Sequence, residues 1–399
     1  MNDGTLERMA ALLVDYGANV QPGQIVVIGS DLGKEPLTRA VARRCYRAGA
    51  HFVDVLYADR HVMRARILHG SDDAIGHEPP WTVSMPREVG ERRGATIGIG
   101  GPVDTDLLTG LDPDRLRRDR PPGGREWLRI GMGGLINWTV GACPTPEWAT
   151  LVHPGLEPEE ALGRLWEQVE YACRLDADDP IAAWTERGRE LLENCRRLTE
   201  ARFDALHFAG PGTDLTIGLL PSSRWLGAEE QTADGLQFRP NLPTEEVFTT
   251  PDPLRVDGVV ASTRPLELGG TIVRGLVVRF ESGRAVSIDA AEGADMLRAQ
   301  TARDDGGTRL GEVALVDGSG RIGKLDTVFY DTLYDENAAS HIALGGAYPL
   351  AVGDPDERDR MNQSESHIDF MIGSPEVVVT GIHPDGTRVP VLVGGEWAV

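Results

Sequence analysis

The chain has 399 residues, with 62 acidic side chains against 40 basic ones and a formal charge of −22. That balance argues against nucleic acid or an anionic membrane as a partner. No window approaches about 18 consecutive apolar residues, and the start, MNDGTLERMAALLVDYG, lacks a basic stretch followed by an apolar one, so neither a membrane span nor a signal peptide is expected. The expected location is the cytoplasm. Cys45, Cys143, Cys173 and Cys195 show no CxxC spacing and read as reduced, buried thiols.

The length exceeds one ordinary core and predicts two domains. Residues 5–16 carry apolar groups at helical spacing, with a stop near Gly17. QPGQIVVIGSD, PLTRAVARRCYRAGA and HFVDVLYAD then read as strand, helix and strand, a βαβ unit with a parallel sheet. The loop GSDLGKEP lacks both GxGxxG and GxxxxGK[ST], so no nucleotide site is read there. Residues 70–126 look irregular apart from a strand-like ATIGIGG, and DPDRLRRDRPPGGRE reads as solvated surface. Trp138 and Trp148 read as core or interface residues. Residues 157–202 look helical with a break at DADDP.

From about residue 203 short strands and glycine-rich turns take over, with hairpins around PG and SGR. The predicted fold class is therefore mixed α/β. Residues 1–202 form an N-terminal parallel-sheet α/β domain with a helical connection, and residues 203–399 a C-terminal mixed-sheet domain carrying the chemistry.

Four blocks of the second half hold metal-friendly side chains. PTEEVFTTP offers Glu245 and Glu246, which face opposite ways if extended, so at most one should ligate. LGEVAL places Glu312 in an apolar run, where it is a ligand, an outward-facing strand position or half of a buried ion pair. In DENAASHIALGGAYP, Asp335 or Asn337 can cap a helix through Ala338–Leu344; His341 and Tyr348 would then lie two turns apart, with Glu336 near the first turn. SHIDFMIG reads as a strand, so His367 and Asp369 share a face, as a metal pair or as a plain His–Asp hydrogen bond.

Two imidazoles and about four carboxylates exceed what one zinc ion needs. They suit two divalent ions that share a bridging carboxylate and activate water to hydrolyse a peptide-like bond. The rival reading takes His341, His367 and Asp369 as a two-His-one-carboxylate triad of a mononuclear iron-dependent ring-cleaving dioxygenase. It leaves Glu246, Glu312 and Glu336 without a task.

Together GTDLTIGL with RWLG, NLPTEEVFTTP, LGEVAL, FYDTLYDENAASHIALGGAYP, NQSESHIDFMIGS and GIHPDGTRVPVLVGGEWA resemble the M29 metallopeptidase family, the thermophilic-type aminopeptidases. The similarity extends to VQPGQIVVI and NWTVGACPTPEWA, and so covers the whole chain. It implies an aminopeptidase acting on short peptides or amino-acid amides with two divalent ions, zinc or cobalt, magnesium and manganese being further candidates. It implies the metal ligands Glu246, Glu312 as the bridge, Glu336, His341, His367 and Asp369, with Tyr348 as catalytic tyrosine. Glu336 or Glu245 is the expected proton carrier. The resemblance further implies a homodimer.

Overall fold

The computed structural model describes residues 3–103, 107–108 and 110–399. Part of the stretch read as irregular, residues 104–106 and 109, lies outside the described residues. The chain divides into two compact units, residues 1–186 with 229–243, and 187–228 with 244–399. The division falls inside the helix Pro180–Ala201, ahead of the 202/203 boundary expected from the sequence.

In the first unit, strands β1 (Ile25–Asp31), β2 (Phe52–Ala58), β3 (Ala95–Gly100) and β4 (Asn137–Ala142) form a wholly parallel sheet in the order β2-β1-β3-β4. The helix Glu35–Arg47 makes the β1–β2 crossover, and Gly49 follows it at φ +94°, a left-handed stop that suits glycine. The span read as irregular holds helices Pro80–Glu91, Pro113–Arg118 and Gly124–Met132. Prolines hid two of them, yet Pro80 and Pro113 stand in a first helical turn, where a missing N–H costs nothing. Trp148 is fully buried.

After the rest of the helix Pro180–Ala201, the second unit continues with β5 (Ala205–Gly210) and β6 (Thr213–Leu219). The short hairpin of β7 (Glu230–Gln231) and β8 (Gln237–Phe238) belongs to the first unit. The chain continues with β9 (Glu246–Thr249), β10 (Pro251–Ala261), β11 (Leu266–Leu268), β12 (Thr271–Val273), β13 (Val277–Glu281) and β14 (Arg284–Asp289). It ends with β15 (Leu310–Val316), β16 (His341–Gly345), β17 (His367–Met371), β18 (Val378–Ile382), β19 (Arg388–Val393) and β20 (Glu396–Trp397). The mixed sheet expected here resolves into antiparallel ones: an eight-stranded sheet β14-β13-β10-β6-β5-β18-β19-β20, a four-stranded sheet β17-β16-β15-β9 and the hairpin β11-β12. The fold class is mixed α/β.

The expected helix through Ala338–Leu344 is not formed. The helix is Thr332–Glu336, capped by the Asp331 side chain, and His341–Gly345 is a strand. HIALG alternates, with Ile342 and Leu344 pointing one way, and strands on both sides satisfy its backbone. Gly345 sits at φ +114°, where a Cβ would meet the Ser366 carbonyl oxygen at 2.0 Å. Neither Asp335 nor Asn337 is the N-cap. Asp335 is buried and accepts from the Phe329 and Asp331 amides, while Asn337 closes the helix at its other end.

Candidate metal centre

The four-stranded sheet sorts its residues by parity. Glu312 pairs with Ala343, which pairs with Asp369; Ala314 pairs with His341; Val316 pairs with Glu246; Gly345 pairs with His367. Residues opposite one another in a sheet share a face, as do alternate residues along a strand. Glu246, Glu312, His341, His367 and Asp369 therefore stand on one face, with Ala314 and Ala343 among them. The intervening Val247, Val313, Leu315, Ile342, Leu344, Ile368 and Phe370 enter the apolar core. Their burial contributes roughly 1.5–3 kcal/mol each, so the core itself pins the register that gathers the polar groups.

Glu336 reaches the same face from the end of its helix, joining His341 and Asp369. Two further groupings complete the picture, Glu246–Glu312–His341 and Glu312–His367–Asp369, each with ligand-type atoms within 4.8 Å of one another. Glu312 belongs to both. Its Oε1 lies 4.0 Å from His341 Nε2 and its Oε2 3.0 Å from His367 Nε2. His341 Nε2 is 3.1 Å from Glu246 Oε2, and His367 Nε2 is 3.3 Å from Asp369 Oδ1. None of these groupings of described residues holds both imidazoles, so the triad of the dioxygenase reading is not assembled as a unit.

Both imidazoles are oriented from behind. His341 Nδ1 lies 3.0 Å from the Glu336 carbonyl oxygen and His367 Nδ1 2.8 Å from that of Gly346. A carbonyl only accepts, so each Nδ1 carries a hydrogen, and each Nε2 faces the carboxylates, where a proton or a metal ion stands between them. His367 stands at the rim, with 28 % of its side chain exposed; the other ligand candidates are buried.

Glu246 Oε2 and Asp369 Oδ1 are buried without a hydrogen bond, although an imidazole nitrogen lies near each. Buried carboxylate oxygens facing ring nitrogens are costly unless a proton or a metal cation sits between them. The donor set of imidazole nitrogen and carboxylate oxygen fits a borderline or hard divalent ion.

The charges agree. Burial first, then the charges of Glu246 and Asp369, hold Glu336 well above the ordinary carboxylate range. Burial raises Glu312 further than His367 lowers it. Burial opposes ionisation of Asp369, yet His367 and His341 bring its carboxyl below its usual value. For His341 burial works against the proton, but Glu246 and Glu312 outweigh it and raise the imidazole to about 10. Tyr348 packs on Phe248, with ring centroids 5.2 Å apart, and edge-on against His367 at 5.1 Å. Burial, then the charges of Glu312 and Asp369, lift its phenol well above the usual value, so the hydroxyl keeps its proton.

Adjacent Glu245 and Glu246 part company as extended residues should. Glu245 is fully buried and bound by Arg187, Nε to Oε2 2.6 Å, with Asp317 3.4 Å from the same guanidinium. Sequence reasoning missed Arg187 and the small residues Ala314 and Ala343. Nothing local marks that arginine, whereas the alternation of HIALG could have flagged Ala343.

A model of the family described as thermophilic metalloprotease (M29) matches residues 2–397. The chain belongs to this family. Among curated relatives, aminopeptidase T of Thermus thermophilus is 41 % identical over 99 % of this chain and 98 % of its own length. Aminopeptidase PepS of Streptococcus thermophilus is 37 % identical over 99 % and 98 %, and aminopeptidase AmpS of Bacillus subtilis 36 % over 98 % of each. The solved structure of wild-type AmpT from Thermus thermophilus superposes with a TM-score of 0.90, covering 99 % of both chains at 41 % identity. A 2,5-dihydroxypyridine dioxygenase from Pseudomonas putida KT2440 reaches a TM-score of 0.51 at 12 % identity, covering 100 % of this chain and 97 % of its own, which is a likeness of fold alone.

Proposed function

We propose that the protein is a metal-dependent aminopeptidase that releases N-terminal residues from short peptides or amino-acid amides at a centre for two divalent ions. The observation that carries the reading is the division of Glu312, one oxygen toward each histidine. Two divalent ions held there would share that carboxylate. Glu246 and His341 belong with Glu312 on one side, and His367 and Asp369 on the other. Glu336 lies against His341 and Asp369. The mixed nitrogen and oxygen set suits zinc or cobalt, with manganese and magnesium as weaker fits to the imidazoles.

Bound ions would supply Lewis acidity and a water acidified toward neutrality. The chain's own groups supply the rest. Tyr348, held protonated, donates its hydroxyl hydrogen toward oxyanion charge developing on the scissile carbonyl. Glu336 takes and returns a proton for the leaving amine; Glu245 is excluded from that task by Arg187. Four buried free cysteines support a reducing compartment and hence the cytoplasm. A homodimer is carried over from the family resemblance.

The test is metal content measured with leucine anilide hydrolysis, on chelated protein before and after cobalt or zinc. Two ions per chain with restored cleavage is the expected result. One iron with oxygen uptake, or tight metal without cleavage, would overturn the reading.

A further inference from the structure

The candidate ligands come from segments distant in sequence, and one uncharged side chain ties two of them together. Asn337 is fully buried. Its Oδ1 accepts the Glu245 backbone N–H at 2.6 Å, and its Nδ2 donates to the Leu333 carbonyl at 2.8 Å and lies 3.4 Å from Glu336 Oε1. The orientation of the amide follows from its partners: the Glu245 amide needs an acceptor, and the Leu333 carbonyl needs a donor. Flipping the group would break both bonds.

Two of the three partners bear on ligand candidates: Glu245 precedes Glu246, and Glu336 is one itself. The Glu245 amide is the peptide nitrogen immediately before the Glu246 segment. Nδ2 lies beside Glu336 Oε1, one of the two oxygens this carboxyl can offer the cluster. The Glu336 carbonyl in turn orients His341 through Nδ1 at 3.0 Å. Glu246, Asn337, Glu336 and His341 thus form one connected line, and Asn337 is its only member with no charge to contribute and no atom in the cluster.

We propose that Asn337 is a positioning residue for the metal centre: it sets the separation of Glu246 and Glu336 and orients the Glu336 carboxyl. The inference rests on the metal-centre reading above. Losing an outer hydrogen-bond partner of this kind typically weakens metal affinity 10–100-fold.

The experiment is cobalt titration of the metal-stripped full chain, followed by visible absorption, for wild type, Asn337→Ala and Asn337→Asp. Circular dichroism reports whether each variant is folded. The d–d bands read ligand geometry directly, so a role confined to stabilising the fold would leave them unmoved. Asn337→Ala is expected to shift the titration midpoint by about 10–100-fold and to alter the bands. Asn337→Asp keeps the shape and the acceptor for Glu245 but loses the donor to Leu333 and Glu336, and is expected to alter the bands as well. Should the alanine variant not fold, the aspartate variant decides. Wild-type bands and midpoint in either folded variant overturn the role of Asn337. A wild-type chain that takes up no cobalt instead overturns the metal centre, and this role with it.

Discussion

Glu312 Oε2 lies 3.0 Å from His367 Nε2, while the far nitrogen of that imidazole is committed to a backbone carbonyl. Two lone-pair-bearing atoms at that distance need a cation or a proton between them. Glu312→Gln keeps the shape and removes the charge. It is expected to reduce bound metal from two ions to at most one and to lower kcat/KM by more than about 10³-fold, on the order of 4 kcal/mol. Elemental analysis beside turnover checks it, and two ions with ordinary turnover would remove the bridging role.

Tyr348→Phe keeps the packing against Phe248 and His367 and deletes only the hydroxyl. The expected loss is about 10²-fold in kcat with little change in KM, in line with the removal of one oxyanion donor. A change confined to KM would assign the tyrosine to binding.

Ala343 pairs with both Glu312 and Asp369 on the ligand face. Ala343→Val adds methyl groups where those carboxylates converge, and overpacking of this kind costs about 1–3 kcal/mol. Metal affinity is expected to fall at least about 10-fold while the circular dichroism spectrum persists. Affinity equal to wild type would show that space at this position is not limiting.

Metal uptake should release protons. The carboxylates raise His341 to about 10 against the pull of burial, so below that pH its imidazole is protonated in metal-stripped protein. Binding must displace that proton, and affinity should rise with pH up to about 10. Calorimetry at pH 7.5 in buffers of different ionisation enthalpy measures the release; a heat independent of buffer would contradict it.

Glu230, in the first unit, is lifted by burial to about 7 from its ordinary 4.5. A raised folded pKa means that the native state holds the proton more tightly than the unfolded chain. The associated stability is full below pH 4.5 and is lost as pH rises through 7. Glu230→Gln is expected to stabilise the protein above pH 7 by up to about 3 kcal/mol and to change little at pH 4. Denaturant unfolding at both values decides, with equal effects at each pH counting against the buried-charge account.

Much of the site was legible because ligand and core residues alternate. SHIDFMIG and LGEVAL announce strands, and a strand that shows one face polar and the other apolar declares its pairing. DENAASHIALGG misled because alanines and an acidic start imitate a capped helix, whereas neighbouring strands supply the hydrogen bonds that decide the matter. The opposed directions of Glu245 and Glu246 followed from extended geometry alone. Arg187, which fixes that choice, is brought up by tertiary packing that no local pattern encodes. The helices between residues 80 and 132 were masked by prolines, at the starts of two of them and inside one at Pro86, and by the glycines that open the third.

The sheet behind the ligands leaves evolution a narrow grammar. One residue inserted into β16 would carry Ile342 toward the carboxylates and drive an imidazole into the oily interior, so chemistry and folding would fail in the same stroke. Such a centre can exchange one side chain for another in place, but it cannot slide along its strands.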